Sequence, residues 1–433
     1  MISATLPPSA AEALHPADLA TLLEKRAPAT AWETLTTLPL PRRAETFGYL
    51  SPACQAALAG VSPTPALAEL LTAMDADERA DLWGRLPEEA REAVGRALAA
   101  AEREDIRRLA SYPPGTAGAV MTSEYAVLSP GLSARDAIEA LRGQAATKET
   151  ILVAYVLSPE RRLLGTVSLE DLVLSPATLS AAALMRPDPP SVGAEEPASH
   201  AARVVQHYDL PAVPVLDATG AMVGIVTADD AMDVAEAEAT EDFEKSSGTG
   251  AGLVAEMGRA SVPLLYSKRV GWLVALVFAN ILSGAGIAAF EETISANLAL
   301  VFFLPLLIAS AGNAGAQAAT LTVRAMATGE VRMADWGRLI SREALVALAL
   351  GVTMAVAVAG IGIWRGGAEI ALVVALTMVL VVLAGSLVGL SLPFLLDRLH
   401  LDPASASAPL VTSLADIAGV MIYFSIASVV LSS

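Results

Sequence analysis

Charged residues and cysteines are scarce in this chain. Only 17% of its 433 residues are Asp, Glu, Lys or Arg, and 54% are apolar, whereas an average soluble domain has about 25% charged residues. With a mean hydropathy of +0.54, the composition excludes a wholly soluble protein. The single cysteine, Cys54, excludes an internal disulfide and a thiolate zinc site, which is consistent with a reducing compartment.

Basic residues are also few. The chain has 46 Asp and Glu against 28 Lys and Arg, for a net charge of −18, and nearly all of the acidic excess lies before residue 263. Such a surface repels phosphate backbones, so we expect no nucleic-acid partner. Residues 1–20 have neither a basic stretch nor an apolar core, which predicts a cytosolic start without a signal peptide.

The region 263–433 contains long stretches that are almost free of charge. Each is long enough to cross a hydrocarbon core of about 30 Å as a helix, whereas the strands of a barrel would be shorter and would alternate in polarity. The sequence therefore predicts a five-helix, all-α transmembrane domain. The predicted spans are 270–290, 297–323, 342–364, 370–396 and 406–432.

The basic residues of this region predict its orientation. Seven lie on the side that faces the N-terminal half, and only Arg365 lies on the opposite side. Cytoplasmic loops carry the excess of Lys and Arg. We therefore expect a multi-pass protein of a bacterial-type plasma (inner) membrane, with a cytosolic N-terminal half and the C-terminus outside.

The first half of the chain divides into a helical part and an α/β part. Residues 1–115 repeat a pattern of Pro or Asp followed by apolar residues at helical spacing, which predicts a superhelical stack of short helices. Residues 116–178 and 179–232 contain a repeat, seen as GTVSLEDL and GIVTADDA. This pattern is typical of tandem CBS domains, small α/β domains that pair into a nucleotide-sensing module.

Each repeat places a hydroxyl at the end of a strand and a carboxylate three residues later. The pairs are Ser168 with Asp171 and Thr227 with Asp230. Such a pair can hydrogen-bond a ribose, which predicts a site for ATP or another adenine nucleotide. The same spacing also suits a helix N-cap with an acidic first turn, and the sequence leaves both interpretations open.

An acidic stretch, DDAMDVAEAEATEDFE, follows the second repeat and contains eight carboxylates and no base. Like charges at helical spacing repel, so cations would stabilise this helix, and carboxylates are preferred ligands of hard divalent cations. We interpret residues 229–252 as an acidic, metal-sensing helix with its linker. A solvated helix face remains the alternative.

Polar residues inside two of the predicted spans suggest a cation path. Asp416 is the one charged residue of the fifth span, and no Lys or Arg lies in the uncharged runs to neutralise it. A charge at that depth is costly and predicts a functional role. Asn313 and Gln317 share one helical face among small residues, a pattern of close helix packing or, as we favour here, of a polar pore wall.

These motifs together resemble the MgtE family of magnesium channels, in the same order over essentially the whole chain. The specific matches are YPPGTAGAVMTSEY before the CBS pair, VTADDAMDVAEAEATED in the acidic helix, PLLIASAGNAGAQAATLTVRA in the second span and DPASASAPLVTSLADIAGVMIYF in the fifth. The resemblance implies a homodimer in the lipid bilayer that takes up Mg²⁺ along its two-fold axis. It also implies a transporter and not an enzyme.

The resemblance also implies that the acidic segment 229–252 is the connecting, or plug, helix of the family, and it implies roles for single residues. Asp416, Thr412 and Asn313 would face the ion path, and Glu291 would lie near the outer mouth. At high cytosolic Mg²⁺, bound ions would bridge acidic surfaces and close the pore, and at low Mg²⁺ repulsion would separate these surfaces. The implied regulatory residues are Asp209, Asp230, Asp233, Glu238, Glu241 and Asp242, with Asp77 and Asp81 as further candidates.

Two positions depart from the family pattern. Ala311 stands where glycine is common, and Ala316 where Asn or Ser is frequent. A related channel or carrier for Co²⁺ or Mn²⁺ is therefore an alternative, as is a proton-coupled transporter that uses Asp416 as its proton carrier. An intramembrane protease is excluded, because the four histidines never form HExxH and Asp416 is the only carboxylate that interrupts an uncharged run.

Overall fold

The computed structural model describes residues 8–249, 252 and 260–431. It divides into two compact units, Met1–Glu236 and Ala237–Ser433. Parts of three predicted segments lie outside the described residues: 1–7 of the helical domain, 250 and 251 of the linker, and 432 of the fifth span.

The first unit begins with a stack of short helices. Proline opens several of them, as Pro16 and Pro28 do, because it has no N–H to leave unsatisfied in a first turn. Leu19, Phe47 and Leu70 have no exposed surface and belong to a shared core. In the described part of the stack the helices are α1 (Pro8–Ala13), α2 (Pro16–Leu23), α3 (Pro28–Thr36), α4 (Leu40–Gly48), α5 (Pro52–Val61), α6 (Thr64–Ala73), α7 (Ala76–Arg85), α8 (Glu88–Ala97) and α9 (Ala100–Leu109).

Two small sheets follow in the same unit. The first contains β1 (Tyr125–Leu128), β2 (Thr150–Leu157), β3 (Leu163–Ser168) and β4 (Arg186–Pro187) in that order, and the second contains β5 (Val192–Gly193), β6 (Ala212–Leu216) and β7 (Met222–Thr227). Strands β1 and β2 are parallel, as are β5 and β6, and the other neighbours are antiparallel. The helices of this part are α10 (Ala134–Gln144), α11 (Leu169–Leu174), α12 (Ala181–Leu184) and α13 (Ala198–Tyr208).

The two repeats are joined through their strands. Each repeat forms an antiparallel hairpin, β2 with β3 and β6 with β7. In the second hairpin Asp217 Oδ1 accepts hydrogen bonds from the backbone N–H groups of Thr219 and Ala221, which fixes the turn. A β-bridge between Thr122 and Ile225 connects the segment before β1 to β7.

The division between the two units falls within α14 (Ala228–Ser246), the predicted acidic helix. The second unit continues with α15 (Val262–Ala288), α16 (Glu291–Ala296), α17 (Ala299–Ala327), α18 (Trp336–Arg398) and α19 (Ala408–Leu431). Among the described residues, four helices are apolar and long enough to cross a membrane by length and composition: α15, α17, α18 with the turn before it, and α19.

Helix α18 is a hairpin and accounts for two of the predicted spans. Its 63 residues would measure about 95 Å if straight, but Gly367 has a φ of 79° and a ψ of −176°, which breaks the helix. A Cβ on Gly351 would lie 2.8 Å from Val379 Cα, so the two arms pack closely against each other. The sequence places the predicted spans 342–364 and 370–396 on these arms.

Candidate functional site

The Asp416 carboxylate lies in α19, beside the bare backbone of α17. A Cβ built on Gly312 would lie 3.7 Å from Asp416 Oδ1 and 3.1 Å from Thr412 Cγ2. Across residues 8–249, 252 and 260–431, no group hydrogen-bonds or ion-pairs with the half-exposed Asp416 side chain. An isolated charge is costly inside a membrane, so water, a proton or a mobile cation would have to meet the charge of this carboxylate.

Two amides line the same part of α17. Asn313 and Gln317 are exposed in the single chain, whereas Gly312 and Gly315 of the same helix are buried. Hydrocarbon provides no hydrogen-bond partners for such groups. The exposed amide stripe therefore needs water or a second protein surface, in contrast to the apolar stripes that suit lipid.

Small residues hold α17 close to its neighbours in the unit. A Cβ on Gly385 would collide with the carbonyl oxygen of Ala311, and a Cβ on Gly389 with that of Gly315. The Gly385-x-x-x-Gly389 spacing thus serves close helix packing, as the sequence indicated. This contact fixes the helix that carries Asn313.

Thr412 and Glu291 are two further residues that the resemblance places along the ion path. Thr412 Oγ1 donates a hydrogen bond to the carbonyl oxygen of Pro409, 2.9 Å away and one turn earlier in the same helix. Glu291 is exposed at the first residue of α16, which follows the first predicted span.

Carboxylates from separate segments of the first unit come together. Burial, with the negative charge of Asp230 added, raises the pKa of Asp77 to about 7. Burial also raises the pKa of Asp230 to about 6, although Thr227 Oγ1 donates a hydrogen bond to its Oδ2 at 2.5 Å. Asp77 and Asp230 therefore repel each other when both are ionised.

We call Asp77, Glu78, Glu149 and Asp230 the acidic group. The sequence analysis missed two of its members, Glu78 and Glu149. Burial and the negative charge of Asp77 raise the pKa of Glu78 to about 8, and burial raises the pKa of Glu149 to about 8. Gly48 leaves space for the Glu78 carboxylate, since a Cβ there would collide with it. Glu149 stands alone just before β2, so no local pattern indicated its role.

Three other predicted regulatory residues of the first unit, Asp81, Asp233 and Asp209, are not members of the acidic group. Asp81 Oδ2 pairs with Arg85 at 2.6 Å on the exposed face of α7. Burial, followed by the charge of Glu236, raises the pKa of Asp233. Asp209 follows α13 in a left-handed conformation, with φ 51° and ψ 46°, and lines a cleft of the CBS pair instead of the acidic group.

Within the described ranges, no group of three or more His, Cys, Asp and Glu side chains could hold a metal ion directly. Mg²⁺ usually keeps several of its waters and is bound through one or two carboxylates. The juxtaposition of Asp77 and Asp230 therefore fits a hydrated ion better than a dehydrated one.

The acidic helix continues in the second unit with Glu238, Glu241 and Asp242. Burial, followed by the negative charges of Asp402 and Glu238, raises the pKa of Asp242. Lys245, one turn after Glu241, pairs with Glu241 and with Asp402. The predicted regulatory carboxylates of this segment thus lie beside an acidic residue from the segment that precedes α19.

The cleft of the CBS pair has a volume of about 770 Å³ and lies between the two repeats. Of the four predicted nucleotide residues, all of which the structure describes, Ser168 lines it, whereas Thr227 donates a hydrogen bond to Asp230 of the acidic group. Ser168 Oγ also accepts the backbone N–H of Asp171 at 3.0 Å, so it caps α11. Arg186 lines the cleft as well and lies 3.5 Å from Asp171 Oδ2.

Comparison with known proteins covers each of these parts. The chain matches the MgtE intracellular N domain over residues 14–115, the CBS domain over residues 117–176 and 181–237, and the MgtE divalent cation transporter domain over residues 304–426. It is 36% identical to the magnesium transporter MgtE of Thermus thermophilus, over 98% of this chain and 94% of that protein. The chain belongs to the MgtE family.

Further relatives agree with this membership. The chain is 33% identical to the magnesium transporter MgtE of Bacillus subtilis, over 78% of this chain and 74% of that protein. A crystal structure of the cytosolic domain of the Mg²⁺ channel MgtE in complex with ATP matches 52% of this chain and 93% of its own, with a TM-score of 0.51 and 32% identity. The predicted family and fold class of this MgtE-family protein are therefore confirmed.

Proposed function

We propose that this MgtE-family protein is a Mg²⁺ channel that mediates magnesium uptake, with Asp416 in its ion path. One observation carries the proposal: the Asp416 carboxylate is left without a partner across the described ranges, next to the bare backbone at Gly312. A mobile cation supplies the countercharge that the protein does not. The magnesium transporter relatives favour Mg²⁺ as that cation.

The ion passes in hydrated form. Mg²⁺ dehydrates reluctantly, so a path lined by the Asp416 carboxylate, the Asn313 amide and the carbonyl of Thr412 would hold it through its water molecules. Such a path needs space more than a tight cage, and the small residues around Gly312 provide that space. Glu291 would attract cations at the outer end.

A second copy of the chain completes the path. Asn313 and Gln317 are exposed in the single chain, and lipid cannot satisfy them. We infer a homodimer in which the exposed stripe of α17 faces the two-fold axis, so that each subunit contributes one Asp416. The dimer lies in a bacterial-type inner membrane, with the N-terminal half of each chain in the cytosol and the C-terminus outside.

Cytosolic Mg²⁺ closes the channel. The acidic group of Asp77, Glu78, Glu149 and Asp230 is mutually repulsive when ionised, and a hydrated divalent cation relieves that repulsion. An ion that binds the compact arrangement better than the separated one shifts the population towards it. Asp233, Glu238, Glu241 and Asp242 extend the same effect along α14, with Asp81 and Asp209 as further contributors.

The CBS cleft is proposed to bind an adenine nucleotide. It contains Ser168 as a hydroxyl, Asp209 as a carboxylate and Arg186 as a cation suited to phosphate. The similar cytosolic domain was solved with ATP. A nucleotide there would act as a regulator, since nothing in the proposed path requires its hydrolysis.

Flux into proteoliposomes tests this proposal. We expect Mg²⁺ influx that falls as Mg²⁺ on the cytosolic side rises and that persists when the proton gradient is collapsed. Competing Co²⁺ and Mn²⁺ should reduce it only partly. Strong Co²⁺ or Mn²⁺ flux without Mg²⁺ flux would assign another ion, and dependence on the proton gradient would indicate a coupled transporter.

A further inference from the structure

Lys245, in the last turn of α14, pairs with carboxylates from two segments of the chain. Lys245 Nζ lies 2.5 Å from Glu241 Oε1 on its own helix and 2.5 Å from Asp402 Oδ2 on the segment before α19. All three residues belong to the second unit. The ammonium group therefore connects the acidic helix to a distant segment of the chain.

Asp402 is itself fixed to the start of the fifth predicted span. Its Oδ1 accepts the backbone N–H of Ala404 at 2.8 Å and begins the short helical turn Pro403–Ser405. Ala404 and Ala406 are buried against Val323 of α17. A displacement of Asp402 would therefore shift the packing of α17 and α19, the helices that carry Asn313 and Asp416.

The end of α14 is also held by packing. The N–H of Gly248 binds the carbonyl of Lys245 at 3.0 Å, so the chain turns back directly after the lysine. Gly248 has a φ of 66°, and a Cβ there would lie 2.5 Å from Trp272 Nε1 of α15. Lys245 is thus presented from a fixed turn.

Lys245 is the first base after eight carboxylates. Its ammonium group supplies positive charge to two of the carboxylates at this end of the helix, Glu241 and Asp402. Partial burial opposes its protonation, but the hydrogen bonds to Asp402 and Glu241 more than offset this and raise the pKa of Lys245. The group therefore remains a cation throughout the physiological pH range.

We propose that Lys245 is a fixed cationic latch, which joins the acidic helix to Asp402 and stabilises the closed channel in parallel with Mg²⁺. The proposal rests on the gating proposed above. A permanent cation supplies part of the countercharge at every Mg²⁺ concentration, so the latch sets the concentration of Mg²⁺ at which the channel closes.

The size of the effect follows from exposure. The side chains of Lys245, Glu241 and Asp402 are 31%, 51% and 38% exposed, which places both pairs in the range of partly solvated salt bridges. Removal of the lysine charge should therefore raise the half-inhibiting concentration of cytosolic Mg²⁺ by about two- to five-fold. Flux in the absence of cytosolic Mg²⁺ should stay at or above the unmodified rate, because loss of the latch destabilises only the closed channel.

The test is Mg²⁺ influx into proteoliposomes at graded cytosolic Mg²⁺, with the full chain and four variants. Lys245→Met removes the charge, Lys245→Arg keeps it, Asp402→Asn removes the partner, and the fourth variant combines Lys245→Met with Asp402→Asn. We expect Lys245→Met and Asp402→Asn to raise the half-inhibiting concentration, the double variant to raise it no further, and Lys245→Arg to resemble the unmodified protein. Lys25→Met, at an exposed surface lysine, is the matched control.

The outcomes separate the latch from the gating itself. If unmodified protein is not inhibited by cytosolic Mg²⁺, the gating proposal fails. If it is inhibited and Lys245→Met leaves the half-inhibiting concentration unchanged, the latch is refuted. A lower half-inhibiting concentration would instead show that Lys245 competes with Mg²⁺, and loss of flux at zero cytosolic Mg²⁺ would make it a structural residue; both results overturn the proposal.

Discussion

Substitution of Glu149 by Gln should make the first unit less sensitive to alkaline pH. The Glu149 side chain is half-buried, and no described group hydrogen-bonds its buried Oε2. Burial raises its pKa from the ordinary 4.5 to about 8. Because the pKa of Glu149 is higher in the folded state than in the unfolded state, its contribution to folding stability is fully present below about pH 4.5. That contribution is lost as the pH rises towards 8.

The magnitude follows from this window. Between about pH 6 and pH 8.5, a shift of this size would remove at most about 2–3 kcal/mol of folding stability. Because the side chain is partly solvated, we discount this to about 1 kcal/mol, or about 2–4 °C in the melting temperature of a unit of this size. Glutamine carries no charge and should abolish this part of the loss.

Thermal unfolding of the full chain in detergent and a metal chelator measures the effect. The unmodified protein should lose more stability than Glu149→Gln between about pH 6 and pH 8.5, and added Mg²⁺ should narrow the difference by binding the folded state. Glu92→Gln, at an exposed position of α8, is the matched control. Equal losses in Glu149→Gln and the unmodified protein would refute the raised pKa that burial, together with the neighbouring carboxylates, gives Glu149.

Three further predictions concern the membrane helices and the acidic helix. Gly389→Ala should destabilise the second unit by about 1–3 kcal/mol, measured by thermal unfolding, because its Cβ would collide with Gly315; Gly360→Ala, where a Cβ meets nothing within 4 Å, should not. In a Cys54→Ser background, Asn313→Cys should form an oxidised dimer, and failure to cross-link would contradict the proposed axis. Neutralising Asp233, Glu238 and Glu241 together should abolish inhibition of flux by cytosolic Mg²⁺. Unchanged inhibition would refute the regulatory role of these three carboxylates.

The membrane part of the fold followed directly from local composition. Uncharged runs of sufficient length predict helices wherever water is absent, and the Gly366-Gly367 pair marks the place where α18 reverses. The family and the fold class are confirmed by relatives that cover nearly the whole chain. The individual site residues remain predictions.

The acidic group was only partly predictable, because desolvation depends on tertiary contacts. Asp230 stands in a conspicuous acidic run, but Glu149 is an ordinary loop residue whose environment appears only when the CBS pair folds. Asp209 shows a different case. Its regulatory role stays a prediction, and its place beside the CBS cleft depends on its own left-handed backbone conformation after α13, which no local pattern predicts.

The central claim is that Asp416 supplies the negative charge that meets Mg²⁺ in the membrane. The most direct measurement is Mg²⁺ influx into proteoliposomes at low cytosolic Mg²⁺, for the unmodified chain and for Asp416→Asn, which has nearly the same shape without the charge. We predict that influx is abolished in the variant while the protein remains folded. Influx at the unmodified rate would contradict the account.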